Sequence, residues 1–282
     1  MHNQPVALIT GASEGLGRHL ALECARRGIN LFLVALPGSN LQRLAHFIRA
    51  NYGVQVWTFE KNLCAEETCQ QLYAAVKAQG LTISVLINNA GMGGTFFFKN
   101  QHVDYYNTLI RLNVLVPTIL TRLFLDDLKT AGTAYIMNVS SMAGLLHLPM
   151  KSVYGASKAY LIGLSKSLRS ELKSDNIFVS VLCPGGMHTT WQLMVLNRTI
   201  DSWVSRQSVL YPCDVARTAI AKMLAGKEMI VPGWWNNCIL LFYKIFPRWV
   251  KDRLTNYAVR KATPVIQNPS VIEPALPAAA VA

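Results

Sequence analysis

The chain has 282 residues, 51% hydrophobic and 15% charged, with 27 Lys plus Arg against 15 Asp plus Glu and a net charge of +12. That length allows one large α/β domain or at most two small ones. The basic excess suits an anionic cofactor, an anionic membrane surface or nucleic acid, but the chain has no Lys/Arg-rich run and no nucleic-acid motif, which excludes nucleic acid as a partner.

Residues 5–10 are a short aliphatic run that reads as a buried parallel strand. Gly11-Ala12-Ser13-Glu14-Gly15-Leu16-Gly17 follows at once, and 18–28 reads as a helix closed by glycine. Strand, glycine turn and helix together let backbone N–H groups approach a diphosphate at a helix N-terminus. The spacing is GxxxGxG, not GxGxxG, and the glycines alone also fit a plain βα turn.

Residues 30–36 form the second strand. In dinucleotide folds an acidic residue at its end reads the ribose 2′-hydroxyl of NAD, or an Arg accommodates the 2′-phosphate of NADP. Ala35, Leu36 and Pro37 supply neither. Ser39 and Asn40 are donors for a phosphate or, the preferred reading, the N-cap of a helix over 41–51. A strand over 54–59, an amphipathic helix over 66–79 and a strand over 84–87 come next. The last ends in Asn88-Asn89-Ala90-Gly91, small amide-rich residues placed where ligands bind in open parallel sheets.

The pattern over 103–128 predicts one long helix with Asn113 amid Leu109, Leu112, Val116, Ile119 and Leu120. A polar residue on such a face is hydrogen-bonded or functional. A strand over 134–139, a helix over 152–173 and a strand over 178–182 follow, the last ending in Cys183-Pro184-Gly185. Residues 186–210 lack a period and hold Met187, Trp191, Met194 and Trp203, which reads as an apolar lid or substrate loop. A helix over 213–225 and a strand over 229–231 complete the alternation. Such alternation implies a doubly wound α/β fold with a parallel sheet.

Tyr154 and Lys158 lie four residues apart and share one helix face. An ammonium beside a phenol favours the phenolate, so Lys158 is expected to lower the Tyr154 pKa towards neutrality. Ser141, at the end of the strand over 134–139, reaches the same point from the neighbouring element. Taken alone, the pair also reads as a half-buried aromatic and a solvated charge.

Together these motifs resemble the short-chain dehydrogenase/reductase family. The matches are Thr10-Gly11-xxx-Gly15-x-Gly17, Asn88-Asn89-Ala90-Gly91, Asn113, Ser141, Tyr154-xxx-Lys158, and Pro184-Gly185 with Thr189, all in family order across residues 5–232. The resemblance implies a Rossmann-type sheet of order 3-2-1-4-5-6-7 and hydride transfer between nicotinamide and a carbonyl or alcohol. It makes Tyr154 the general acid/base and Lys158 its modulator and ribose ligand. Ser141 polarises the substrate oxygen, and Asn113 anchors a relay water through its main chain. The cofactor-binding set is Gly11, Ser13, Gly15, Leu16, Gly17, Asn62, Leu63, Asn89, Ala90, Gly91, Tyr154, Lys158, Pro184, Gly185 and Thr189. Three departures stand out: Glu14 where many NADPH-dependent members carry a base, Leu36 for a frequent Arg, and Asn62 for an Asp that meets adenine. Nothing at the ribose position repels a phosphate, so NADP(H) is favoured over NAD(H).

Six cysteines at 24, 64, 69, 183, 213 and 238 form no CxxC and no zinc-spaced cluster, so a reduced, cytoplasmic protein with no metal site is expected. Neither His147 nor His188 reads as a catalyst. The opening residues lack a charged n-region and a cleavage site, so no secretory signal is expected, and no run of 18 apolar residues occurs. After the core over 1–232, residues 233–261 form a helical extension. It holds Trp234-Trp235, an apolar stretch over 239–246, six basic residues and one acid, Asp252. It reads as an interfacial membrane anchor, a pocket cover or a subunit contact, the last leaving room for a homo-oligomer. Residues 262–282 read as a flexible tail. The Phe96-Phe97-Phe98 run and the apolar 186–210 loop point to a small lipophilic carbonyl or alcohol substrate. The competing class is a nicotinamide-binding sensor or scaffold without catalysis, against which the intact Ser141, Tyr154 and Lys158 set weighs.

Overall fold

The computed structural model describes residues 5–187, 209–247, 249–251, 253, 256, 257 and 260. Seven strands alternate with helices: β1 (Val6–Thr10), α1 (Gly15–Arg26), β2 (Asn30–Ala35), α2 (Leu41–Tyr52), β3 (Val56–Glu60), α3 (Thr68–Ala78) and β4 (Val85–Asn88). After β4 come α4 (Val103–Ile110), α5 (Val116–Leu123), α6 (Leu125–Thr130), β5 (Ala134–Val139) and α7 (Ser152–Glu171). The described chain continues with β6 (Ile177–Leu182), α8 (Pro212–Leu224), β7 (Met229–Ile230) and α9 (Trp234–Ile245). The strands pair in parallel in the order β3-β2-β1-β4-β5-β6-β7, as expected.

The period of two explains the layers. In β1, Ala7 and Ile9 pack with Leu20 of α1, Leu44 of α2 and Val215 of α8. Val6 and Leu8 face the other side, with Leu72 of α3, Leu120 of α5 and Leu128 of α6. Both faces of the sheet are therefore covered, which is why its strands read as unbroken apolar runs.

Two local expectations fail. The helix over 103–128 is interrupted by a π turn at Arg111–Leu115, where the Val116 N–H bonds to the Arg111 carbonyl five residues back. Pro117 follows in the first turn of α5. Proline has no N–H, so a continuous α-helix would leave the Asn113 carbonyl four residues back without its donor. The second miss is at α2, where Asn40 holds the N-cap position but makes no side-chain cap bond. The Ser39 hydroxyl is buried with no hydrogen-bond partner.

Helix α9 is held by one side. Asn236 is fully buried, and its amide donates to the Pro232 carbonyl at 2.8 Å. Leu240 packs on Val181, Cys183 and Val231, and the Tyr243 hydroxyl lies 3.1 Å from His147 Nδ1 and accepts from the His147 N–H at 3.2 Å. The opposite side carries Trp234, Leu241, Phe242 and Ile245, which with Trp249 beyond the helix are 51% to 68% exposed. Among the described residues no helix is long and apolar enough to cross a membrane, and no His/Cys/Asp/Glu group is arranged to hold a metal. The loop expected over 186–210 is described only at its ends, where Met187 bridges Leu210 in parallel. His188, Thr189, Trp191, Met194, Trp203 and the tail over 262–282 lie outside the described residues.

Candidate active site

Strand order reverses at β1, which lies between β2 and β4, so the loops leaving β1 and β4 diverge and open a crevice. Thr10 closes its floor. Its hydroxyl accepts from the backbone N–H of Asn89 at 3.0 Å and of Ala90 at 2.9 Å. The Asn89 amide returns to the carbonyls of Thr10 at 2.9 Å and Gly11 at 3.1 Å. Gly11 turns the chain at φ +64°, and a Cβ on Gly17 would run into the Gly11 carbonyl oxygen. The wall between turn and helix thus admits backbone only. The N-cap of α1 is the exposed Glu14, whose side chain makes no cap bond. Ser13, Gly15 and Leu16 lie on this turn. At the end of β3, Asn62 Oδ1 accepts from the Cys64 N–H at 3.0 Å, and Leu63 is buried.

The second half of the site lies beyond β4 and β5. Ser141 begins the short turn Met142–Gly144, and its hydroxyl accepts from the Ala143 N–H at 3.1 Å. The Met142 N–H donates to the Pro184 carbonyl at 2.9 Å, and Gly185 faces the Asn236 amide closely. Helix α7 presents Tyr154 and Lys158 one turn apart. A Cβ on Gly93 would lie 2.6 Å from the Tyr154 ring, so the loop after β4 seats directly on the phenol. A Cβ on Gly91 would be 3.1 Å from both Asn113 Oδ1 and Lys158 Nζ. Four of the expected residues, Asn113, Ser141, Tyr154 and Lys158, are therefore brought to one place.

Their electrostatics differ from expectation. Burial raises the Tyr154 pKa, and the Ser141 hydroxyl acts against that rise as a hydrogen-bond partner. Lys158 does not lower it: the Lys158 ammonium donates to the Val139 carbonyl at 2.9 Å and lies 5.8 Å from the ring centroid. Desolvation instead brings the pKa of this enclosed lysine down to about 8.

Asn113 spends its whole side chain on support. Its Oδ1 accepts from the Met92 N–H at 3.0 Å, and its amide donates to the Met92 carbonyl at 2.9 Å and Ser157 Oγ at 3.0 Å. Ser157 donates on to the Tyr154 carbonyl at 2.7 Å. Beneath lies a second buried chain, in which the Asn88 amide reaches Thr121 at 3.2 Å and Asn138 at 2.8 Å, and Asn138 reaches Ser165 at 2.9 Å. Sequence reasoning passed over Lys151, whose ammonium lies 5.5 Å from the Tyr154 ring centroid. Its place three residues before Tyr154, on the same helix side, was the available signal.

A family model described as short chain dehydrogenase matches residues 5–198. The chain belongs to the short-chain dehydrogenase family. It is an oxidoreductase. It is 30% identical over 240 residues to 17-beta-hydroxysteroid dehydrogenase type 3 of Homo sapiens, covering 81% of this chain and 76% of that one. The very-long-chain 3-oxoacyl-CoA reductase of Rattus norvegicus is 32% identical over 186 residues, 63% of this chain and 58% of the relative. A short-chain dehydrogenase from Sphingobium yanoikuyae, solved with NADPH, superposes with a TM-score of 0.72 at 27% identity, over 86% of this chain and 97% of that one.

The family implies a nicotinamide dinucleotide, and the crevice fits one. Its wall at Gly11 and Gly17 has no room for a side chain, and the first turn of α1 has no side-chain cap. Both suit a diphosphate at a helix N-terminus.

Proposed function

We propose that this enzyme transfers hydride between NADP(H) and the carbonyl or alcohol of a small lipophilic substrate, with Tyr154 as general acid and base. The observation that carries the reading is the convergence of Ser141, Tyr154 and Lys158 at the strand ends, beside a crevice shaped for a dinucleotide. When bound, the nicotinamide supplies or accepts the hydride.

The chain's own groups manage the proton. Burial keeps the Tyr154 phenol protonated at neutral pH, ready to donate to a substrate oxygen that gains charge. Ser141 Oγ accepts from the Ala143 N–H and keeps its own hydrogen, which it can donate to that same oxygen. Lys158 would hold the nicotinamide ribose, its ammonium kept in place by the Val139 carbonyl at 2.9 Å. Both amide hydrogens of Asn113 are committed to Met92 and Ser157, and we assign its part in a proton relay to the main chain. Gly11, Ser13, Gly15, Leu16 and Gly17 receive the diphosphate, and Asn62, Leu63, Asn89, Ala90, Gly91, Pro184, Gly185 and Thr189 line the rest.

The preference for NADP(H) rests on the absence of any carboxylate after β2, so that nothing at the ribose position repels a phosphate. The NADPH-bound relative supports it. Titration of each cofactor should favour NADP(H) modestly; a tenfold preference for NAD(H) would overturn that choice. The aromatic wall at Phe96, and relatives named for steroid and 3-oxoacyl-CoA substrates, support a lipophilic substrate. A cytoplasmic enzyme held peripherally to a membrane through α9 is the location we favour. Its exposed apolar side and the basic residues around it support that reading.

Tyr154→Phe decides the chemistry. It should leave cofactor affinity nearly intact and cut turnover of a reducible ketone by at least ~10²-fold, the usual loss for a general acid. Near-full turnover in the variant would remove Tyr154 from its role.

A further inference from the structure

A small cavity adjoins Tyr154, about 20 Å³ open to the centre of a water-sized group. Its walls include Phe96, Tyr105, Leu109, Lys151 and Val153. Most of that lining is aromatic or aliphatic. Two polar groups in it are left unanswered.

The first is Lys151. Its ammonium reaches only the Gly94 carbonyl, at a long 3.4 Å, and lies 5.5 Å from the Tyr154 ring centroid. No carboxylate among the described residues pairs with it. Burial lowers its pKa. It also occupies the N-cap position of α7, with no acidic residue in the first turn. A cation there meets the positive end of the helix dipole. The preceding residue, Met150, is held at φ +62°, a left-handed conformation that a side chain of this kind rarely adopts. Its carbonyl is pinned by the Phe96 N–H at 2.8 Å. The second is Tyr105, whose hydroxyl is buried with no hydrogen-bond partner. Burial raises its pKa, so it remains a neutral donor.

A half-buried lysine without a carboxylate partner among the described residues, at the unfavourable end of a helix and lining the same cavity as an unanswered phenol, lacks one thing: an acceptor with negative charge. We propose that Lys151 and Tyr105 form a subsite for a single carboxylate-sized anionic group on the substrate, placed within a few bonds of the carbonyl that Tyr154 protonates. This deepens the hydride-transfer reading and rests on it. The substrate is then an oxo acid or the corresponding hydroxy acid with a lipophilic body, not a neutral ketone. Lys151 and Tyr105 are specificity residues here.

The test uses a matched pair, 4-oxo-4-phenylbutanoate and butyrophenone, which differ at the position of the carboxylate. Calorimetric titration of the NADP⁺-loaded full chain should show the acid binding at least tenfold tighter. Lys151→Gln should bring the ratio of the two affinities to within about twofold, and Tyr105→Phe should reduce it several-fold. In steady-state reduction the same change should appear in the ratio of KM values. Equal binding of the two compounds, binding of neither, or an unaltered ratio in Lys151→Gln overturns the subsite, and a water alone then fills the cavity. Reduction of butyrophenone without preference for the acid sinks the subsite and leaves hydride transfer standing. Reduction of neither compound, with cofactor binding intact, counts against both.

Discussion

Lys158 shows how far an apo site departs from a simple pairing rule. The lysine is nearly inaccessible, and its pKa falls from 10.5 to about 8. The unfolded chain therefore holds this proton longer than the folded one as pH rises. Between about pH 8 and 10.5 the unfolded state binds more protons, and folding stability gains with pH from this group. Below pH 8 the charged lysine is a full burden on the fold, of order 3 kcal/mol at ~1.4 kcal/mol per pH unit. Lys158→Met keeps the stem and removes the charge. Relative to this variant, the cofactor-free wild type should gain stability as pH is raised from 7 to 10, read by denaturant unfolding. A stability difference that stays constant over that range would show that burial does not perturb the lysine. Under the proposed function the same group holds the ribose, and stability is then given up where that function would need a cation.

At the scale of elements, the largest departure from the sequence reading carries a site residue, Asn113. The π turn at Arg111–Leu115 was hidden by a clean apolar period, since Leu109, Leu112, Val116 and Leu120 fit a straight helix well. Pro117, four residues after Asn113, was the visible sign, because its missing N–H falls on the Asn113 carbonyl. Single-turn π segments often occur at functional places. The capping reading of Asn40 failed because position suggests a cap but only geometry makes one. Helix α9 was legible in outline, and its two-sidedness was not. Burial at Asn236, Leu240 and Tyr243 assigns the inner side, and Trp234, Leu241, Phe242 and Ile245 are left outward. Soluble monomers seldom leave such a continuous patch bare. Lys244, Arg253 and Arg260 are exposed nearby. Each basic residue near an anionic bilayer contributes about 1 kcal/mol, and each deeply buried side chain roughly 1.5–3 kcal/mol. Co-sedimentation with vesicles of phosphatidylcholine and phosphatidylserine should therefore fall with added salt. It should drop at least tenfold in Leu241→Gln/Ile245→Gln. Indifference to both would return α9 to a lid or a subunit contact.

For the whole molecule, the alternating α/β architecture followed from repeated local signals, and the strand order from the family resemblance. Each strand is a short apolar run, each glycine or amide cluster falls at a strand end, and parallel crossovers leave few ways to assemble them. Tyr154 and Lys158 were readable because helical spacing is a local property. Their charges were not, since the Val139 carbonyl and the enclosing walls come from distant segments. The pairing of Lys151 with Tyr105 was not readable for the same reason: 46 residues separate them, and only the fold brings both to one cavity.

The contact between Tyr243 and His147 ties these scales together. His147 sits in the loop that runs from Ser141 to Lys151, so the outer helix and the chemistry share one segment of backbone. An occupant of the outer side of α9 and an occupant of the cavity would thus touch elements joined by this contact. Thermodynamic reciprocity requires that, if one changes the affinity of the other, the second changes the first by the same factor. Helix α9 is therefore tied by this contact to the segment that carries Ser141 and Lys151, and does not hang free of it.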